Sequence, residues 1–212
     1  MDRLAILIDG EFMRLRLKDR LASPPRAADI VGQVSSILDR IQDRRVPHPI
    51  QLYRAFFYTA GPSSQIKRHP LTGQAATFGD RDSHRENRRL IENLDREEHM
   101  AVRRGELVFR GWGLKRSVVD RQVRNPGEDP PPLAPDDLQP RFEQKGVDMR
   151  IGLDIASLAL KRLVTDVAVV TRDSDMVPAF KLARREGLRV HLDRLGVGRC
   201  EQLCIHSDTV IG

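Results

Sequence analysis

The feature that most constrains this chain is an uninterrupted apolar run close to its start. Residues 4–8 read Leu-Ala-Ile-Leu-Ile, and Asp9-Gly10 ends the run. A strand with one buried face alternates apolar and polar residues, whereas a strand covered on both faces is apolar throughout. The run therefore predicts a buried strand that ends in a polar turn, as in a sheet with helices on both sides.

Hydrophobic periodicity extends this prediction along the chain. It predicts three further strands, at 50–58, 166–171 and 188–192, and three helices, at 29–44, 147–163 and 176–186. The last strand, helix and strand follow one another closely, which requires a right-handed parallel crossover. The expected fold class is α/β with a central, mainly parallel sheet.

The middle of the chain, from about 61 to 144, is less regular. It contains a charged helical stretch at 85–100 and a strand-like stretch at 106–112. Prolines are frequent in 125–140, which predicts an exposed loop because proline interrupts helices and central strands. A chain of 212 residues can bury one good core. We therefore expect a single domain over 1–212, with 61–144 as an insertion.

Composition narrows the functional classes. The apolar runs are too short to span a bilayer, and the acidic N-terminus is unlike a signal peptide, so a cytoplasmic location is expected. Two cysteines are too few for a disulfide scaffold. The net charge of +6 favours polyanionic partners, although an arginine-rich composition also follows from a GC-rich genome. No membrane partner is expected, and whether the chain forms a homo-oligomer is left open by the sequence.

Acidic residues follow the predicted buried strands. Asp9 ends the first strand, Asp173 and Asp175 follow the strand at 166–171, and Asp148 opens the preceding helix. Ligands of parallel sheets bind beyond the carboxyl ends of the strands. Carboxylates that converge there repel one another unless a hard cation such as Mg²⁺ or Mn²⁺ is bound. Such ions activate water for phosphodiester hydrolysis.

Each acid also has an ordinary structural explanation. Asp148 can cap its helix, and Asp9 and Asp173 can be turn residues that bind nearby backbone. Asp154 follows Asp148 by six residues, which places it about 240° around the helix. At most one of these two helical acids is then well aimed at a shared site.

Three stretches resemble the NYN domain, a branch of the PIN-like nuclease superfamily that includes the bacterial LabA-like proteins. They are Ala5-Ile6-Leu7-Ile8-Asp9-Gly10, Lys145-Gly146-Val147-Asp148-Met149-Arg150-Ile151-Gly152-Leu153-Asp154 and Val169-Val170-Thr171-Arg172-Asp173-Ser174-Asp175. The resemblance implies a PIN-like three-layer α/β/α sandwich and metal-dependent cleavage of RNA. It assigns the catalytic and metal-binding roles to Asp9, Asp148, Asp173 and Asp175, with Asp154 as a further candidate ligand.

Two positions depart from the family pattern. Phe12 stands where many relatives have Asn, and Arg172 stands where relatives usually have Gly. The Arg172 guanidinium can either pair with Asp173 or Asp175 and compete with the metal, or lie along the cleft and bind a substrate phosphate. We favour the second arrangement, because strand alternation points Arg172 away from the side chains of its two neighbours.

Several basic residues are candidates for nucleic-acid binding. They are Lys145, Arg150, Arg172, Arg110, Lys115 and Arg116. Trp112 lies among the last three cations, a combination that suits single strands, although a solvated edge strand explains that segment more simply. RNA is the expected partner, with single-stranded DNA as the alternative.

The preferred interpretation is a metal-dependent ribonuclease with Mg²⁺ or Mn²⁺ in an acidic site. The alternative is a catalytically weak or inactive nucleic-acid-binding regulatory protein that retains the acidic pocket. A third hypothesis is a homo-oligomeric interaction module. Other chemistries are less favoured, since His69, His84 and His99 lack zinc-ligand spacing and Ser174 has no recognisable base.

Overall fold

The computed structural model describes residues 1–45, 48–79, 81–127, 129–198 and 200–212. Its strands are β1 (Asp2–Asp9), β2 (Ile50–Ala60), β3 (Ile66–Arg68), β4 (Ala75–Thr77), β5 (Met100–Leu114), β6 (Leu138–Lys145), β7 (Asp166–Val170), β8 (Arg189–Asp193) and β9 (Thr209–Val210). Its helices are α1 (Gly10–Leu21), α2 (Ala27–Asp43), α3 (Asp82–Leu94), α4 (Arg116–Arg124), α5 (Val147–Leu160), α6 (Val177–Arg185) and α7 (Glu201–Ile205).

Seven strands form one sheet in the order β6-β5-β2-β1-β7-β8-β9. All neighbouring pairs are parallel except β5 and β6, which are antiparallel. The short strands β3 and β4 form a separate antiparallel pair. The prediction of a mainly parallel central sheet is therefore confirmed.

The central strand β1 contributes to two cores. Leu4, Ile6 and Ile8 pack with residues of α1, α2 and α3, whereas Ala5 and Leu7 pack with residues of α5, α6 and α7. All of these β1 side chains are completely buried. The continuous apolar run is thus explained by helices on both faces, and the predicted three-layer α/β/α sandwich is confirmed.

The largest differences from the predicted elements lie outside the core strands. The helix at 85–100 is α3, which begins at Asp82 and ends at Leu94, because Met100 already belongs to β5. The strand-like stretch at 106–112 is the second half of β5. Helices α1 and α4 were not predicted, because charged residues interrupt their apolar pattern.

The proline-rich stretch at 125–140 is a loop only in part. Its last residues begin β6, where Pro140 lies opposite Trp112 in β5. Proline is tolerated there because β6 is an edge strand of the sheet and the missing N–H costs no central hydrogen bond. The expectation of a loop up to residue 140 was therefore wrong at its end.

None of the helices in the described ranges has the length and apolarity that crossing a membrane requires.

A buried polar network joins the amino ends of the strands. Asp166 is completely buried, forms an ion pair with Arg45, and accepts a hydrogen bond from Thr165 Oγ1 at 2.6 Å. His191 Nε2 lies 3.0 Å from the same carboxylate. Burial alone would raise the pKa of Asp166, but the contacts with His191, Thr165 and Arg45 outweigh it and lower the pKa. These contacts therefore stabilise the ionised carboxylate.

Asp166→Ala should lower the free energy of unfolding by about 2–3 kcal/mol, because Thr165, His191 and Arg45 lose this partner while Arg45 keeps its ion pair with Asp2. Since the pKa of Asp166 is lowered by folding, its contribution is present at neutral pH and is lost as the pH falls through the folded-state pKa. Urea denaturation of both proteins at neutral pH measures the difference.

Asp120→Ala is the matched control, since Asp120 forms an exposed i,i+4 pair with Arg116 and should contribute below about 1 kcal/mol. Equal losses in the two variants would contradict a stabilising role for the buried network.

Candidate functional site

An open cleft of about 530 Å³ lies at the carboxyl ends of the central strands. Strand β1 pairs with β2 on one side and β7 on the other, so the chain leaves the sheet in different directions at this point. Such switch points are where open α/β sheets bind ligands. The residues that line the cleft are Asp9, Glu11, Phe12, Leu15, Arg16, Asp19, Gln144, Val147, Asp148, Arg172, Asp173 and Val197.

Asp9 is positioned as the N-cap of α1. Its Oδ1 atom accepts hydrogen bonds from the backbone N–H groups of Glu11 and Phe12, both at 3.1 Å. Gly10 follows because a Cβ atom at this position would lie 2.5 Å from the Tyr58 carbonyl oxygen. The tight exit from β1 against β2 therefore requires glycine and fixes the carboxylate at the mouth of the cleft.

Asp173 is positioned in a similar way after β7. Its backbone N–H donates to Thr171 Oγ1 at 3.0 Å, and its Oδ1 atom accepts from the N–H of Asp175 at 3.0 Å. Thr171 is buried and anchors this turn. Asp148 reaches the cleft from a different element, as the second residue of α5. The cleft thus collects acids from three separate elements.

The electrostatics of the cleft show that these acids influence one another. Burial raises the pKa of Asp9 to about 6, and the charges of Asp148 and Glu11 add to that rise against the opposing backbone hydrogen bonds. The pKa of Asp148 is also raised, first by desolvation and then by Asp173 and Asp175. Like charges at short range disfavour ionisation. The cleft therefore concentrates several acids that disfavour one another's ionisation, beside the cations Arg16 and Arg172.

The acids are not arranged as a finished metal site. Within the described ranges, no group of three or more His, Cys, Asp or Glu side chains is arranged to hold a metal ion. Asp9 and Asp173 each use Oδ1 for a backbone cap, and their Oδ2 atoms have no hydrogen bond among the described residues. The donor chemistry nevertheless fits a hard cation, because carboxylate oxygens are its preferred ligands.

Asp154 lies outside the cleft. Its Oδ2 atom accepts a hydrogen bond from the Tyr58 hydroxyl at 2.8 Å and pairs with Arg103 Nε at 3.2 Å. Burial and then the charge of Asp154 raise the pKa of Tyr58. The structure therefore separates Asp154 from Asp148, as their spacing along one helix requires, and gives it a different set of partners.

Several cleft residues were not identified from the sequence. Glu11, Leu15, Arg16 and Asp19 all belong to α1, and Arg16 pairs with Asp19 at 3.2 Å. Gln144 accepts a hydrogen bond from the Ala60 N–H at 3.2 Å and donates to Glu11. The available signal was Asp9 itself, since an aspartate before a helix-forming stretch is a strong N-cap.

The expected nucleic-acid-binding residues divide into two groups. Arg172 lines the cleft, while Lys145 and Arg150 are exposed on β6 and α5, which border it. Among the described residues, Arg172 forms no ion pair with Asp173 or Asp175. The structure thus places Arg172 in the acidic cleft, whereas Lys145 and Arg150 are not among the residues that line it.

The second group lies along the insertion. Arg110 pairs with Glu143, and Arg116 pairs with Asp120 at 2.8 Å. Lys115 lines a separate cavity of about 560 Å³ that also contains Trp112. Strand β2 pairs with β5 only up to Gly105, so among the described residues the 106–114 half of β5 pairs with β6 alone and keeps one unpaired edge, in agreement with the interpretation of this segment as an edge strand. The sequence analysis did not identify β6, because its proline-containing sequence is untypical of a strand.

Comparison with known proteins finds a family match in the C-terminal part of the chain. The NYN domain family model matches residues 131–194, a stretch that contains Asp148, Asp173 and Asp175. A solved structure similar to this chain is that of a protein of unknown function from Vibrio parahaemolyticus, at 13% identity and a TM-score of 0.47, over 99% of this chain and 91% of that one. Comparison with curated proteins finds no match.

The raised pKa of Asp9 gives a prediction for the metal-free protein. Folding raises this pKa from 3.8 to about 6, so the native state retains a proton that the unfolded state has lost. Stability should therefore fall as the pH rises between these values, by an amount of about 3 kcal/mol at most. Asp9→Asn keeps an N-capping side chain and removes the titration.

In EDTA, the variant should thus gain stability relative to wild type between pH 4.5 and pH 7.5, measured as the difference between their urea-unfolding free energies. An equal difference in unfolding free energy at both pH values would show that burial does not raise the pKa of Asp9.

Proposed function

We propose that this chain is a metal-dependent ribonuclease. The premise is that it is an NYN domain protein of the PIN-like nuclease superfamily. The observation that supports this best is the single cleft lined by Asp9, Asp148 and Asp173 at the carboxyl ends of β1 and β7. These acids come from three elements, and the pKa values of Asp9 and Asp148 are raised, a cost in stability that a purely structural role does not require.

The residues that would hold Mg²⁺ or Mn²⁺ are Asp9, Asp148 and Asp173, with Asp175 beside them. Asp9 and Asp173 can each offer the Oδ2 atom while keeping the Oδ1 cap, and Asp148 is exposed and free to turn. When bound, the cation supplies an activated water molecule and neutralises charge on the phosphodiester. Since no three such side chains in the described part of the chain are arranged to hold an ion, ligation requires rotation of these side chains.

The remaining cleft residues would seat the substrate strand. The Arg172 guanidinium lies where it can bind a phosphate oxygen, and Arg16 lies on the opposite element, α1. Phe12 is largely buried and gives the cleft an apolar wall that a base or ribose can contact. RNA is the proposed substrate and single-stranded DNA the alternative, while a cytoplasmic location and a homo-oligomeric state stay predictions.

The second candidate function is a regulatory protein that binds nucleic acid without cleaving it. Two observations favour it: the acids are not arranged to hold a metal ion among the described residues, and Arg172 places a cation in the cleft. Both functions predict RNA binding, so cleavage and metal binding distinguish them.

The metal site is tested by a pair of substitutions on the same helix. Mn²⁺ should raise the melting temperature of the wild type, because a ligand at 100 times its Kd stabilises the native state by about 2.7 kcal/mol. Asp148→Asn should abolish this shift and the cleavage of labelled RNA. Asp154→Asn should retain both, since Asp154 pairs with Tyr58 and Arg103 outside the cleft.

The cleavage assay is repeated with EDTA in place of Mn²⁺ and with single-stranded DNA in place of RNA. A wild type that binds Mn²⁺ and RNA but cleaves neither nucleic acid would favour the regulatory function. Equal Mn²⁺-induced shifts in melting temperature for the wild type and Asp148→Asn would show that the metal does not bind in the cleft.

Arg172→Gly tests the role of the cation in the cleft. If Arg172 binds substrate phosphate, the variant should bind single-stranded RNA more weakly, and the slope of log K against log salt should become shallower by about 0.7. Its Mn²⁺ affinity, measured by calorimetry, should stay nearly unchanged because Arg172 forms no ion pair with the acids. Tighter Mn²⁺ binding with faster cleavage would instead identify this arginine as an inhibitor of the site.

A further inference from the structure

A second polar cavity, of about 260 Å³, lies beside the acidic cleft. It is formed between α1, the start of α3 and the β5–β6 pair. The residues that line it are Arg14, Pro62, Ser63, Phe78, Arg81, Ser83, His84, Asn87, Leu107 and Phe142. Two arginines, a histidine, an amide and two hydroxyl groups thus share one small space that the acidic cleft does not include.

Three of these side chains have buried polar atoms without a hydrogen-bond partner. They are Nε of Arg14, Nδ1 of His84 and Oδ1 of Asn87, in the part of the chain that the structure describes. Buried polar atoms are nearly always partnered in folded proteins. Arg14 Nε can only donate, His84 Nδ1 donates in one tautomer, and the Asn87 amide can turn its NH₂ group inward. The unpaired atoms therefore suit a ligand that accepts hydrogen bonds.

The charge of the cavity indicates an anion. Burial lowers the pKa of Arg14, against the opposing charges of Glu11 and Glu86, so its guanidinium is partly removed from water. The Arg81 guanidinium lies 4.9 Å from the centre of the Phe78 ring. Neither arginine forms an ion pair with a described residue. Two guanidinium groups with nearby hydroxyls match the several oxygens of a phosphate.

The cavity is also placed next to the cleft by two elements. Phe142 lines the cavity and Gln144 lines the cleft, on the same face of β6 and about 7 Å apart along the strand. On α1, Glu11 lines the cleft and Arg14 lines the cavity one helical turn later. A nucleic-acid strand that enters the cleft can therefore continue directly over this cavity.

We propose that the cavity formed by Arg14, Arg81, His84 and Asn87 binds a phosphate group of the RNA strand, next to the phosphodiester in the acidic cleft. This inference rests on the proposed function for the identity of the strand. The cavity fixes which way the strand runs from the cleft, along β6 towards the insertion.

The test compares two arginines near the same helix. Arg81 lines the cavity, whereas Arg88 of α3 is exposed and pairs with Glu92 at 3.5 Å. Arg81→Gln and Arg88→Gln remove the same charge, so their difference reports the two cavities that Arg81 lines, and His84→Ala, whose side chain lines only the smaller one, assigns the effect to it. The probe is a fluorescein-labelled oligouridylate of about 12 nucleotides, within the usual range of single-strand site sizes. Anisotropy titrations in EDTA, which prevents metal-dependent cleavage, give Kd at several salt concentrations.

Arg81→Gln should weaken binding about fivefold to tenfold at low salt and reduce the salt slope by about 0.7, whereas Arg88→Gln should change Kd less than about twofold. His84→Ala should also weaken binding, without a loss of permanent charge. Inorganic phosphate should raise the melting temperature of the wild type above that in chloride of equal ionic strength, and should do so less for Arg81→Gln.

Equal effects of Arg81→Gln and Arg88→Gln on RNA binding would overturn the proposal, because they would show general charge attraction only. A phosphate-induced shift that depends on Arg81, with unchanged RNA affinity, would also overturn it by assigning the cavity to a free anion. These measurements need no cleavage. A wild type that shows the expected binding pattern but does not cleave RNA with Mn²⁺ would contradict the proposed ribonuclease and leave the phosphate site supported.

Discussion

The burial of β1 on both faces is the constraint on which the rest of the structure depends. Because helices cover both sides of the sheet, residues 4–8 cannot carry polar side chains, and the first available position is Asp9 at the carboxyl end. The parallel neighbours β2 and β7 direct their own carboxyl ends to the same edge. Gly10 then allows the chain to turn sharply against the Tyr58 carbonyl oxygen. The acidic cleft is therefore a consequence of how this sheet must be built.

The same acids stabilise local structure and repel one another. Asp9 and Asp173 cap the turns that follow their strands. At Asp9 the backbone hydrogen bonds favour the ionised carboxylate, whereas burial and the neighbouring acids disfavour it. For Asp9 the unfavourable effects prevail, since its pKa is raised. A cation would relieve this repulsion without displacing the caps, because each cap occupies only one carboxylate oxygen. The caps also hold the two side chains in place, and no three acids among the described residues form a closed ligand set.

The sequence predicts the core well and the border of the site poorly, for identifiable reasons. Strands β1, β2, β7 and β8 contain runs of consecutive buried residues, and helices α2, α5 and α6 each bury one apolar face, so both patterns can be recognised in the sequence. Helix α1 was not predicted, because Arg14, Arg16 and Lys18 interrupt its apolar positions. For the same reason, Glu11 and Arg16 were not identified as residues of the cleft. Strand β6 depends on long-range pairing with β5, which no local pattern reports. The separation of Asp154 from Asp148 was foreseeable from helix geometry, but its partners Tyr58 and Arg103 were not.

Strand β6 links the insertion to the cleft. The side chains of β6 alternate between the two faces of the strand, so Pro140, Phe142 and Gln144 share one face. Pro140 lines the cavity that contains Trp112, Phe142 lines the cavity that contains Arg14, and Gln144 lines the acidic cleft. Phe142 is held by ring contacts with Phe78 at 5.0 Å and Phe109 at 5.6 Å, a small aromatic cluster within the insertion. Rigid aromatic packing of this kind fixes the spacing between the polar groups on either side of it. In the proposed ribonuclease the acids would act on any phosphodiester, so recognition of a particular strand would come from this neighbouring face. Much of that face, including Arg14, Arg81 and His84, lies before residue 131, where the match to the NYN domain begins.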